Sequence, residues 1–183
     1  NDSPSALLEK QIISTHVTSF LDLYKAHTES DLGLKPGLTK KAWITNMVKE
    51  ALEDVKLGKL HLAIARIDDR VDGFLVCKPV TSRHEGLKND VYVSLLAVRP
   101  FMDFKSQEKI HIGIGRQLME SAEKRFPTIN TLTLDTRLIN KSAIFFYEKL
   151  GFHCTGKRTF GGSNSDHYIG YEKTSISTTG FRP

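Results

Sequence analysis

The segment HIGIGRQL, residues 111–118, sets two glycines ahead of a run with helical apolar spacing, a combination suited to holding an anion. Gly113 and Gly115 remove side chains where the chain turns into a helix, so backbone amides can approach a negative group. Those amides are the unpaired donors of a helix start, and the helix dipole places partial positive charge on them. Arg116 falls in the same first turn, where a cation is unfavourable by roughly 0.3 to 1 kcal/mol until a negative ligand arrives. One expected strand later, NKSAIFFYEKLGF, residues 140–152, reads as a short helix with Asn140 as N-cap and Gly151 as its stop. Its apolar face carries a phenol, Tyr147.

Gly-x-Gly opening a helix also begins the dinucleotide fingerprint. Asp135, at the end of an expected strand, stands where a ribose-binding acid would. Against that reading, Leu118 fills the third small position, and the preceding strand ends near Val98, leaving a long connection in place of a tight turn. A flexible loop before a helix is the plain reading of the two glycines alone.

The elements that must position these residues follow from periodicity. Residues 7–27 carry Leu8, Ile12, Phe20, Leu21 and Tyr24 near helical spacing, although 12–17 could equally begin a strand. Residues 39–55 read as a helix with Thr39 as N-cap, Trp43, Met47, Val48, Ala51 and Val55 on one side, and Gly58 as terminator. Strands are expected at 60–67, 73–79 and 91–98 as an antiparallel meander, with Asp68, Asp69 and Arg70 and residues 81–89 as turns. A helix over 116–126, a strand over 131–135, a helix over 141–150 and a hairpin of strands near 153–158 and 167–173 complete the order. Leu118, Met119, Ala122 and Phe126 stripe the first of these helices. Ala143, Phe146, Tyr147 and Leu150 form the inward face of the second. This order predicts an α/β (α+β) fold with a mixed, largely antiparallel central sheet flanked by helices. It places one domain over residues 1–173 and a polar tail over 174–183.

A chain of 183 residues fits one domain. Its net charge of +5 comes from Lys and Arg interleaved with Asp and Glu, without a basic run. That pattern argues against a nucleic-acid partner and is compatible with a ligand bearing several phosphates. Cys77 and Cys154 lie far apart and the histidines are scattered, so neither a disulfide framework nor a metal site is expected. No apolar run reaches membrane-spanning length and no signal-peptide pattern opens the chain, so no membrane association and a cytoplasmic location are expected. The chain starts at Asn1, which leaves a removed leader open.

Taken together, SLLAVRP, GIGRQLMESAEKRF and LTLDTRLINKSAIFFYEKLGF, within roughly residues 91–152, resemble the GNAT acetyltransferase superfamily. The resemblance implies acetyl-CoA (coenzyme A) as cofactor and the GNAT-like fold. It gives Leu96, Ala97 and Val98 backbone contacts to the pantetheine arm, and Ile112, Gly113, Ile114, Gly115 and Arg116 the diphosphate. Asn140 and Ala143 would meet the cofactor arm, and Tyr147 would approach the thioester sulfur. Two departures stand out. Ile110 occupies a position where the family usually has Arg or Gln, and the connection PFMDFKSQEK, residues 100–109, is longer than usual. Lys109 and His111 are the alternatives for the missing donor.

Acyl transfer from a thioester needs a neutral nucleophile, a polarised carbonyl and a stabilised thiolate. With a thiol pKa of about 8.5 and a tyrosine pKa of about 10, full proton transfer from Tyr147 is uphill by roughly 1.5 units, so hydrogen bonding or late transfer is expected. A lysine-like amine, pKa about 10.4, is only about 0.04% neutral at pH 7, whereas an α-amino group near 8 is about 10% neutral. A base therefore matters most for the first. The strand over 91–98 offers only Tyr92 and Ser94, and Glu85 and Asp90 sit in a turn region, so no base is assigned. Two readings stay open. One is an N-acetyltransferase acting by direct amine attack, on a small molecule or peptide. The other is a noncatalytic acyl-CoA-binding or regulatory domain. A nicotinamide oxidoreductase comes third. Residues 7–55, 101–109 and 159–167 are expected to border the acceptor, whose identity, like the oligomeric state, is not legible in the sequence.

Overall fold

The computed structural model describes residues 3–25, 27–28, 32, 34, 36–81, 89–99, 113–156 and 167–174. Its elements are α1 (Pro4–Tyr24), α2 (Lys40–Lys56), β1 (His61–Ile67), β2 (Arg70–Thr81), β3 (Asn89–Val98), α3 (Ile114–Arg125), β4 (Thr131–Arg137), α4 (Lys141–Lys149), β5 (His153–Cys154) and β6 (Tyr168–Thr174). The six strands make a mixed sheet in the order β1-β2-β3-β4-β6-β5, flanked by the four helices. Several expectations fall outside the described residues: the turn at 82–88, the connection 100–109 with Lys109, then Ile110, His111 and Ile112, the segment 159–166, and the tail from 175 on.

The ambiguity near residues 12–17 resolves as helix, and α1 starts ahead of residue 7. Ser3 Oγ accepts from the Ala6 N–H at 3.2 Å, and Pro4 takes the first helical position, where its missing N–H is not needed. Ile12, Thr15 and His16 are buried together. Thr18 Oγ1 and Ser19 Oγ donate back to the carbonyls of Ser14 and Thr15 at 2.8 and 2.7 Å, so the hydroxyls in this run are satisfied within a helix. In α2, Thr39 caps as expected by accepting from the Ala42 N–H at 3.2 Å, and Gly58 follows the last turn at φ 72°.

The chain divides into two compact units, Asn1–Val76 with Leu95–Met119, and Cys77–Ser94 with Glu120–Pro183. The core of the first joins Ile12 of α1, Val48, Ala51 and Leu52 of α2, Val71, Phe74 and Val76 of β2, and Leu95 and Ala97 of β3. In the second, β4 pairs in parallel with β3 from Asp90↔Thr131 to Val93↔Leu134, and antiparallel with β6 from Thr131↔Thr174 to Arg137↔Tyr168. The parallel pair needs a crossover, which α3 provides. β5 and β6 form the expected antiparallel pair, His153↔Glu172 and Cys154↔Tyr171, with β6 lying between β5 and β4.

Three boundaries correct the sequence reading. β2 runs over Arg70–Thr81, not 73–79, because polar Asp72 is buried within it and held by Arg70, Nη2 to Oδ1 at 2.8 Å. β4 continues past Asp135, since Thr136 and Arg137 still pair with Ile169 and Tyr168. α3 begins at Ile114 instead of Arg116, which brings Gly115 inside its first turn. Among the described residues, no helix is long and apolar enough to cross a membrane, and no group of three or more His, Cys, Asp or Glu side chains could hold a metal.

Candidate functional site

Gly113 sits at φ 101°, a left-handed conformation that side-chain-bearing residues avoid. The Gln117 N–H donates to its carbonyl at 2.8 Å, closing the first turn of α3. Among the described residues, a Cβ built on Gly113 would meet nothing within 4 Å, so it is the backbone conformation that favours glycine there. Ile114, Leu118, Met119 and Ala122 are buried, while Arg116 is exposed. The N–H groups of this first turn have no preceding carbonyl of the helix to bond, as at any helix start.

The position of that turn depends on a residue the sequence reading passed over. A Cβ on Gly73 of β2 would lie 2.8 Å from Ile114 Cγ2, 3.1 Å from Leu118 Cδ1 and 3.2 Å from the Ala97 carbonyl oxygen. Only a residue without a side chain lets α3 begin this close to the sheet. The end of β3 is fixed from α1: Ser19 Oγ shares its one proton between the Thr15 and Val98 carbonyls, both at 2.7 Å, and Arg99 Nη2 donates to Thr15 Oγ1 at 3.2 Å. Thr15 Oγ1 in turn donates to the Val71 carbonyl at 2.7 Å, and the Arg99 N–H donates to the Asp72 carbonyl at 2.7 Å. Leu96 and Val98 are half-buried, Ala97 is in the core, and Arg99 Nε is buried without a partner among the described residues.

In the second unit, Asn140 caps α4 as expected. Its Oδ1 accepts from the Ala143 N–H at 3.1 Å and from Ser142 Oγ at 3.0 Å. With the oxygen so occupied, Nδ2 is the donor end of the amide, and it has no hydrogen bond among the described residues. Asn140 is only 8% exposed, and Ala143 is half-buried. Tyr147 is likewise 8% exposed, its ring edge-on to Phe146 and Phe152 at 5.3 and 5.8 Å and tilted to Tyr171 at 6.4 Å. Burial pushes its phenol well above the ordinary tyrosine value, so the proton stays on at neutral pH. A core tyrosine normally has its hydroxyl satisfied nearby. Among the described residues, that of Tyr147 has no hydrogen bond.

Of the expected site residues, Leu96, Ala97, Val98, Gly113, Ile114, Gly115 and Arg116 belong to the first unit, and Asn140, Ala143 and Tyr147 to the second. Asp135, weighed as a ribose-binding acid, instead accepts from Tyr92 Oη at 3.1 Å within a strand that continues beyond it. Cys77 is buried, its thiol pushed up to about 11 by desolvation, which suits a core side chain and not a covalent carrier.

The mixed six-stranded sheet flanked by four helices is the fold of GNAT acetyltransferases. The chain belongs to the acetyltransferase (GNAT) family, whose sequence pattern matches residues 20–152. Among solved structures, it is similar to the PaiA N-acetyltransferase of Thermoplasma acidophilum in complex with coenzyme A, at 19% identity and TM-score 0.64 over 91% of this chain and 92% of that one. It is also similar to aminoglycoside 6′-acetyltransferase type Ii, at 20% identity and TM-score 0.61 over 100% and 97%. A third similar structure is PH1933 from Pyrococcus horikoshii OT3, at 21% identity and TM-score 0.58 over 96% and 94%. No curated protein matches the chain significantly.

Gly73, Thr15, Ser19 and the Tyr92–Asp135 pair escaped the sequence reading. The buried face of α1, with its hydroxyls four residues apart at Thr15 and Ser19, is the one local signal that was available.

Proposed function

We propose that this chain is an acetyl-CoA-dependent N-acetyltransferase that transfers the acetyl group to an amine of a small molecule or peptide by direct attack. The observation that carries the reading is Tyr147, a buried ring whose hydroxyl makes no hydrogen bond among the described residues. That hydroxyl is a donor open to a leaving sulfur during reaction.

The residues present fit the cofactor. Gly113, Ile114, Gly115 and Arg116, with Ile112 before them, hold its diphosphate on backbone N–H groups, and Arg116 supplies the countercharge. Leu96 and Val98 offer backbone to its arm, with the Val98 carbonyl already accepting from Ser19. Ala97 contributes through backbone alone, because its side chain is in the core. Asn140 donates through Nδ2, beside Ala143. Acetyl-CoA supplies the activated acetyl group. Tyr147 keeps its proton in the resting site and presents it to the sulfur as charge develops there, which lowers the barrier without requiring a free phenolate.

The test is Tyr147→Phe, which removes one oxygen and keeps the ring packing. Turnover at saturating acetyl-CoA and amine falls by about 100-fold, and the Kd for acetyl-CoA stays within about twofold. Unchanged turnover removes Tyr147 from the reaction. Equal tight binding of nicotinamide nucleotides and acetyl-CoA would remove the acetyl-transfer reading as a whole.

A further inference from the structure

A protonated amine has to lose a proton before it can attack a thioester. Asp90, expected in a turn, is instead the second residue of β3, paired with Thr131 and with its Oδ1 buried, and from Val91 to Val98 the strand carries no carboxylate. Next to Tyr92 the neighbouring strand supplies one. Tyr92 pairs in register with Thr133, and Asp135 lies two residues further along the same face of β4. From there Asp135 Oδ2 accepts the Tyr92 hydroxyl at 3.1 Å, a diagonal reach that long aromatic side chains make between adjacent strands. Both residues are half-buried. On the other side, the β6 residue opposite Asp135 is Gly170, so no side chain there covers the carboxylate. Among the described residues, the other charged groups on this face of β4 and β6 are Arg137, over the Tyr168 ring at 4.7 Å, and Glu172, bonded to His153 Nε2 at 2.9 Å.

Resting on the acetyl-transfer reading above, we propose that Tyr92 and Asp135 are the proton-accepting pair for the acceptor amine. Tyr92 is the catalytic residue that touches the amine, and Asp135 is the positioning residue that draws the proton through it. As an ammonium N–H bond breaks, its proton passes to Tyr92 Oη while the Tyr92 O–H proton passes to Asp135 Oδ2. The phenol is neutral before and after, and Asp135 ends protonated. The freed nitrogen lone pair forms the C–N bond as the C–S bond breaks, and Asp135 later returns its proton to solvent.

The experiment compares wild type, Tyr92→Phe and Asp135→Asn on primary amines whose ammonium pKa runs from about 8 to about 10.4. With the most basic amines, kcat/KM falls by about 100-fold in both variants, and with the least basic by less than about tenfold, because those amines are already partly neutral. The acetyl-CoA Kd stays within about twofold throughout. A loss independent of amine basicity, as a structural defect would give, overturns the pair, and so does no loss at all. Should Asp135→Asn fail to fold, Tyr92→Phe, one oxygen smaller, carries the test by itself. Wild type that acetylates no amine in the series refutes the parent reading and this one with it, whereas active wild type with unaffected variants refutes only the pair.

Discussion

The two units offer a ligand different kinds of chemistry. In the first, the donors are backbone: a left-handed Gly113, the opening turn of α3 seated against Gly73, and the end of β3 tied to α1 through Ser19, Thr15 and Arg99. In the second they are side chains: the amide of Asn140, the phenol of Tyr147, and the Tyr92–Asp135 pair. Backbone donors are fixed by the fold and are indifferent to what happens at a reacting atom, so they bind. Side chains placed one by one can hold or move a proton, so they serve the reaction. Substitutions in the first unit should therefore change affinity or stability, and those at Tyr147, Tyr92 and Asp135 in the second turnover, while Asn140, a cap as well as a donor, should change stability and affinity.

The largest effect that sharpens this division is acid sensitivity in the first unit. His16 Nδ1 donates to the Ile44 carbonyl at 3.2 Å, which leaves Nε2 buried without a partner among the described residues. Desolvation lowers its pKa to about 4. Above about pH 6.5 the ring is neutral folded or unfolded and has no linkage effect. As pH falls from 6.5 towards 4, only the unfolded chain takes up the proton, and stability drops by about 2 kcal/mol at pH 5 and about 3 kcal/mol in total. Urea denaturation followed by Trp43, the single tryptophan and part of the first unit, checks this; a midpoint constant between pH 7 and 5 would contradict it.

Gly73→Ala comes next. A methyl 2.8 Å from Ile114 Cγ2 forces the start of α3 away from β2, and stability falls by about 1 to 3 kcal/mol with weaker acetyl-CoA binding alongside. Calorimetry of the two proteins measures both; wild-type melting with wild-type affinity would show that the turn does not need this seat. Gly113→Ala has room for its methyl but not the conformation, at a cost of about 1 to 2 kcal/mol. It should raise the Kd for acetyl-CoA by about tenfold and leave saturated turnover near wild type. A change in turnover without a change in Kd would break the proposed division. Smallest is Asn140→Ala, which removes the cap of α4 and lowers stability by about 1 kcal/mol, read as a shift in the denaturation midpoint. Asn140→Asp keeps the oxygen and the cap, so any loss of cofactor affinity it retains reports on Nδ2.

How much of this was legible follows the range of the interactions. α4 was read nearly to the residue because Asn140 and Gly151, which adopts φ 85°, are local signals that do not depend on the rest of the fold. The same holds for Thr39 and Gly58 around α2. α1 was placed late because Ser3 and Pro4 precede the first apolar repeat, and its helical state near residue 15 depended on hydroxyls bonding back along the chain. Asp72 hid the start of β2, since a buried carboxylate held by Arg70 reads in sequence as a turn residue. The pair of Tyr92 and Asp135 was not legible at all. Its partners lie on strands brought into register only by the α3 crossover, and one residue of slip would place Asp135 on the opposite face. Gly73 was missed for the same reason, because its neighbour Ile114 is distant in sequence.

The most direct test of the central claim is to count, for the unmodified chain, the thiol released from acetyl-CoA and the amide formed across a series of primary amines. Acetyl transfer predicts one thiol for each amide, at a rate above that of acetyl-CoA with amine alone. Saturable acetyl-CoA binding with no thiol released above that background, whatever the amine, would contradict it and leave a binding domain in place of an enzyme.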